Sequence, residues 1–223
     1  MLAKEVGESL VRFPVAADDF VIADRGYSFP AGVEHVAKLG AYLLVRLNTG
    51  ALPLFSPGGR PFPLASKIRT ITDAGQIGQW PVVVHGPTLN VQGRLCIVRK
   101  SQQAIEEATR QIQRQETKHG SRTKPETWEY AKYVMVFTSF PGKYTAEQVL
   151  EWYRLRWQIE LAFKRLKSLA QLGHLPKYDD ESSRAWLYGK LFVALLTEKL
   201  SRIGRDISPW GYSLQEVRSQ PVA

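Results

Sequence analysis

Four side chains within one short stretch combine types that bind anions and cations: Tyr153, Arg156, Glu160 and Lys167. An arginine offers a planar fork of donors to a phosphate, a lysine a point charge, a tyrosine one hydrogen bond. A carboxylate among them suits a hard divalent cation. The stretch Trp152 to Lys167 reads as one helix. At about 100° per residue the four polar side chains share an arc of roughly 60°. A second stripe, Trp152, Leu155, Ile159, Ala162, Phe163, Leu166 and Leu169, is wide enough to be a core face. Thr145 with Gln148 has the pattern of a capping box, with Tyr144 stapling onto Val149. Gly173, with Pro176 beyond it, suits the other end of a helix expected over residues 146–172. For a single Arg–Glu pair, an ordinary i,i+4 contact on a solvated face would be sufficient explanation. Four such residues on one arc call for more.

A second carboxylate stands where a strand would present it. The apolar run Phe20 to Ala23 reads as a buried strand that stops at Asp24, with Arg25-Gly26 opening a loop. In open α/β sheets, functional side chains sit at the carboxyl ends of strands. The alternative is a turn-forming aspartate that caps the next segment. Pro30 to Leu39 then reads as a helix and Tyr42 to Leu47 as another strand, which makes a βαβ unit. Arg46 lies inside that strand, and the sequence leaves its direction open.

After Asn48 the texture changes. Residues 51–90 are dense in proline and glycine, with short strands at Val82 to His85, Leu89 to Gln92 and Arg94 to Arg99. Gln102 to Lys118 is polar and helix-prone, and His119 to Pro125 reads as an exposed loop. Seven cations from Arg99 to Lys124 make this stretch basic, though Glu106, Glu107 and Glu116 dilute it. Tyr133 to Phe140 is a strand, Pro141-Gly142 turns the chain into the helix above, and Ala185 to Arg202 reads as a further apolar helix.

A chain of 223 residues, 44% hydrophobic and 23% charged, belongs to the soluble globular class. Its net charge of +9 fits a polyanionic partner. The lone Cys96 makes no internal disulfide and fits a reducing compartment. The four histidines have no metal-ligand spacing, which argues against zinc. The N-terminus lacks a signal-peptide pattern, and the apolar run Leu191 to Leu196 is too short for a bilayer. A cytoplasmic location is expected.

The spacing Tyr153, two residues, Arg156, three residues, Glu160, six residues, Lys167 resembles the Tyr-Arg-Glu-Lys signature of bacterial insertion-sequence transposases of the insertion sequence four group. The flanking RWQIE and FKRLKS, and the Asp24-Arg25-Gly26-Tyr27 block, resemble the same family. The resemblance implies an α/β fold: a ribonuclease H-like core interrupted by a β-rich insertion. On that basis residues 1–49 are a partial core, 50–140 the insertion and 141–223 the helices that complete the core. It also implies an Asp-Asp-Glu triad holding two Mg²⁺ or Mn²⁺ ions, with Asp24 and Glu160 as metal ligands and catalytic residues. Tyr153, Arg156 and Lys167 would grip the phosphates of a transposon end, and Trp80 is a candidate for stacking on an unstacked base. Core packing is the commoner use of such a tryptophan. The implied partner is DNA, bound by a homodimer or by association with an N-terminal fragment, near the bacterial nucleoid.

The family pattern places an earlier Asp on the first core strand. Only 23 residues precede Asp24, too few for the strands and helix that would carry it. The expectation is therefore a C-terminal portion of a transposase, prone to association through an incomplete sheet. Two alternatives remain: a remnant that binds DNA or dimerises without cleaving, and an unrelated basic α/β domain.

Overall fold

The computed structural model describes residues 9–169 and 179–206. The chain divides into two compact units, Met1–Trp157 and Gln158–Ala223. The first is built on one mixed five-stranded sheet in the order β1-β2-β5-β4-β3. Its strands are β1 (Phe20–Ala23), β2 (Tyr42–Arg46), β3 (Ile77–His85), β4 (Asn90–Arg99) and β5 (Tyr133–Thr138). β1 and β2 are parallel, in the register Phe20↔Tyr42 to Ala23↔Val45, and every other pairing is antiparallel. The chain is therefore α/β, as expected.

The β1–β2 crossover is helix α1 (Pro30–Lys38). Pro30 starts it without wasting a backbone donor, and Gly40, at φ 71°, ends it. Because strand side chains alternate, the two faces of the sheet separate cleanly. One face carries Leu43, Val45, Leu95, Ile97 and Phe137 and is covered by Val33 and Val36 of α1. The other carries Leu44, Cys96 and Val136 and is covered by Ala146, Val149, Leu150 and Tyr153. These last four lie on α5 (Ala146–Leu169), which crosses the division between the units.

The segments expected at Leu89 to Gln92 and Arg94 to Arg99 are one strand, β4, running through Gly93. A side chain at Gly93 would meet the Phe137 ring at 2.6 Å, so glycine here is a packing requirement. β3 begins earlier than expected and includes Pro81. It occupies the sheet edge, where a missing backbone donor is tolerated. β3, β4 and β5 hydrogen-bond into the same sheet as β1 and β2.

Two short helices were not anticipated: α2 (Leu64–Ile68), in the proline-rich stretch, and α4 (Pro125–Tyr130). Between β4 and α4 runs α3 (Gln102–His119), which buries no residue. The capping box of α5 is present in full. Thr145 N donates to Gln148 Oε1 at 2.9 Å, and Gln148 N donates to Thr145 Oγ1 at 3.3 Å.

Of the apolar stripe expected on α5, Trp152 packs against the cluster beneath the helix and Leu155 does not. Tyr153, placed on the polar arc, is buried, while Leu155 is 53% exposed. The first turns meet the sheet through Ala146, Val149, Leu150 and Tyr153, which rotates the contact face toward the polar arc. Gly173 and Pro176, the expected helix end, lie outside the described residues. In the second unit α6 (Asp180–Asp206) is longer than expected, and Asp179 Oδ1 caps it by accepting from Ser182 N. No helix among the described residues is long and apolar enough to cross a membrane.

Candidate functional site

The site lies where the carboxyl ends of β1 and β2 meet α5. Alternation puts Ile22 and Leu44, which are register partners, on the α5 face. Two positions on, Asp24 and Arg46 follow on the same face. Asp24 ends β1 and caps the turn after it, its Oδ1 accepting from Arg25 N at 2.6 Å. The capping alternative is thus satisfied by one oxygen. The other, Oδ2, stands 3.5 Å from Arg156 Nη1. Asp24 leaves 48% of its side chain exposed and Arg156 only 17%.

Tyr153 sits beneath this pair. The Arg156 guanidinium carbon lies 5.5 Å from the centre of its ring, a cation–π distance. Burial pushes the Tyr153 phenol above its ordinary value, while the charges of Arg156 and Arg46 pull it back and Asp24 opposes them. Lys100, just past β4, joins the same field. Its ammonium donates to Ala131 O at 2.7 Å. Burial lowers its pKa, and the charge of Arg46 lowers it further. Asp24, Arg46 and Arg156 therefore form a charged group with an excess of cations around a buried tyrosine, and Lys100 lies in the field of Arg46.

Of the residues singled out by sequence, the structure brings Asp24, Tyr153 and Arg156 together. Glu160 and Lys167 are exposed on the part of α5 that belongs to the second unit. Trp80 lies on β3, at the sheet edge opposite β1. Its ring packs over Gly78 and 6.3 Å from that of Phe62. Arg46 and Lys100 are the additions. Strand alternation alone gives Arg46 the face of Leu44, so its direction follows once α5 is known to cover that face. Lys100 reads in sequence as one cation in a diluted basic run.

The donor chemistry of Asp24, an exposed carboxylate at a strand end, suits Mg²⁺ or Mn²⁺. The described residues contain no group of three acidic, histidine or cysteine side chains able to hold a metal ion.

The family model for the transposase DDE domain matches residues 5–196. The chain belongs to the DDE-domain transposases. It is 34% identical over 210 residues to the transposase for insertion sequence element IS421 of Escherichia coli, covering 91% of this chain and 56% of that protein. It is 23% identical over 193 residues to the transposase for insertion sequence element IS231B of Bacillus thuringiensis subsp. berliner, covering 80% and 40%. The chain spans about half the length of the IS421 transposase, 56% of it. No solved structure matches it. Family membership removes the alternative of an unrelated basic α/β domain.

Proposed function

We propose that this chain supplies two carboxylates and a phosphate clamp to an insertion-sequence transposase that cleaves DNA at transposon ends and transfers the strand. Asp24 and Glu160 are the carboxylates, and Tyr153, Arg156 and Lys167, on the Tyr-Arg-Glu-Lys spacing, are the clamp. The observation that carries the reading is the 3.5 Å approach of Arg156 to Asp24 over Tyr153. It unites two segments far apart in sequence at the carboxyl ends of parallel strands, where α/β sheets place their sites.

A ribonuclease H-like core is consistent with the β1-α1-β2 crossover and with the position of the Asp24 strand. β1 hydrogen-bonds only to β2 among the described strands, so one of its edges is open to a further strand. In this reading that strand brings another carboxylate, from an N-terminal fragment or a second copy. Bound Mg²⁺ or Mn²⁺, held by Asp24, Glu160 and that carboxylate, would supply Lewis-acid polarisation of the phosphodiester. The chain's own contribution is to hold the backbone. Arg156 presents two donors in a plane and is kept in place by packing on Tyr153. Arg46 and Lys100 raise the positive potential at the same strand ends.

A second reading, DNA binding or mixed association without cleavage, is favoured by the lack of three grouped metal-ligand side chains among the described residues. One experiment separates the two: incubate the chain, alone and with the N-terminal fragment that would bring the further carboxylate, with element-end DNA and Mg²⁺ or Mn²⁺, and measure binding and strand cleavage separately. Cleavage that disappears in Glu160→Gln and Asp24→Asn while binding survives supports the enzyme. Binding without cleavage supports the second reading. Neither binding nor cleavage would sink both.

A further inference from the structure

The hairpin of α3 and α4 is not used by the site described above, yet it springs from the same end of the sheet. β1, β2 and β4 run in one direction, because β4 and β2 are each antiparallel to β5. Asp24, Arg46 and Lys100 therefore mark one end, and α3 starts immediately beyond Lys100. The hairpin is a built feature. Ser101 Oγ caps α3 by accepting from Ala104 N at 3.3 Å. Gly120, at φ 62°, closes its far end, with its N donating to Glu116 O at 2.9 Å. Thr123 N then donates to Glu116 Oε1 at 2.5 Å, which folds the 120–124 loop back on the helix.

The two faces of α3 have opposite characters. Ile105, Ala108, Ile112 and Glu116 are half-buried and share one side. Arg110, Gln113, Arg114, Thr117 and Lys118 line a shallow open depression on the other. Near the base, Glu106 and Glu107 stand 3.8 Å and 3.9 Å from the Arg110 guanidinium and offset its charge. Toward the tip that offset ends. Arg114, Lys118, Arg122 and Lys124 are all exposed, and Glu116, the acid among them, is committed to the loop backbone. Arg114 and Lys118, four residues apart, are spaced by about 6 Å along the axis.

We propose that the tip of this hairpin, Arg114, Lys118, Arg122 and Lys124, is a docking surface for the sugar-phosphate backbone of duplex DNA that extends beyond the strand-end site. The proposal rests on the transposase reading for the identity of the polyanion. The occupant follows from charge complementarity. An exposed array of cations with no apolar neighbour on its face suits a repeating anion better than a folded apolar partner. Contacts of this kind position a duplex and carry no sequence information.

The test is anisotropy of a labelled duplex of arbitrary sequence, titrated with the full chain at several salt concentrations. The paired variants are Arg114→Ala with Lys118→Ala, and a control, Arg60→Ala with Arg69→Ala, that removes the same charge from another exposed region. Each lost phosphate contact lowers the slope of log K against log salt by about 0.9, so the α3 variant should lower it by roughly 2 and weaken binding about tenfold at low salt. The control should leave the slope near that of the unaltered chain. Equal losses in both variants, or an unchanged slope in the α3 variant, overturns the proposal. Stronger competition by single-stranded RNA than by duplex DNA also overturns it. Arg156→Ala in the same assay separates the two readings. If it lowers the slope and the α3 variant does not, only the hairpin assignment fails. If the unaltered chain does not bind duplex, both fail. The four residues of the paired variants are exposed, Arg156 is not, and circular dichroism melting checks that each variant, Arg156→Ala included, folds.

Discussion

The two faces of the sheet are made from the same strands and do different work. Under α1 the face is apolar along its length, from Leu43, Val45, Leu95 and Ile97 to the fully buried Phe137. Under α5 it begins in the same way, with Leu44, Cys96 and Val136, and then changes character at the strand ends. There Asp24 and Arg46 follow Ile22 and Leu44, and α5 answers with Tyr153 and Arg156. The apolar part of this face is chemically quiet. Burial pushes the Cys96 thiol up to about 11, so it remains protonated and unreactive near neutral pH. The candidate site lies at the end, where side chains reach solvent while their helix is still held by packing.

The comparison breaks first at Phe137. It is fully buried, touches the space left by Gly93 and belongs to the α1 face alone. Phe137→Ala should cost about 3–5 kcal/mol in urea unfolding, with no specific effect on the charged end of the other face. A loss below about 1 kcal/mol would mean that the α1 face is not the main store of stability. A second variant tests how that face is pinned. Glu34 on α1 is buried, with Oε1 2.5 Å from Lys38 Nζ, and it accepts from Thr88 Oγ1 at 2.5 Å and from Thr88 N at 3.0 Å. These contacts tie α1 to the β3–β4 turn. The bonds from Lys38 and then Thr88 pull the Glu34 carboxyl from its usual 4.5 down to about 2. A depressed folded-state value means that this stabilisation is complete above about pH 4.5 and is lost as the pH falls toward 2. Melting curves of the unaltered chain and Glu34→Gln should therefore converge through that window. Curves that stay parallel would show that the tie is not electrostatic.

The sequence made the strand pattern and the start of α5 legible because those signals are local. Continuous apolar runs mark β2 and β5, and the Thr145/Gln148 pair announces the helix start. At the start of α5 the contact face runs from Trp152 of the expected stripe to Tyr153 of the polar arc and leaves Leu155 out. Tyr153 is amphipathic: its hydroxyl makes it polar by type, yet its ring supplies buried surface while Leu155 stays exposed. The site was legible in part for the same reason. Asp24, Tyr153 and Arg156 could be picked out by type and spacing. Arg46 and Lys100 depend on which strands become neighbours, a non-local fact. The short helices α2 and α4 lie among prolines and glycines, where turn signals mask a single helical turn.

The smallest effect on stability, and the sharpest test of the comparison, is expected at Asp24. Its pairing with Arg156 spans 3.5 Å, with Asp24 48% exposed, so solvent screens it and its contribution stays below about 1 kcal/mol. Asp24→Asn should therefore shift the urea midpoint only slightly, several times less than Phe137→Ala. It also removes the negative charge paired with Arg156 in a cluster that otherwise holds Arg46. Duplex DNA should then bind more tightly in the absence of divalent metal, because a phosphate no longer competes with a carboxylate for the guanidinium. The residue retains a side-chain oxygen able to accept from Arg25 N, so the turn survives. If Asp24→Asn destabilises as much as Phe137→Ala, the carboxylate is chiefly a structural cap. The strand ends under α5 would then be a continuation of the core and not its functional exception.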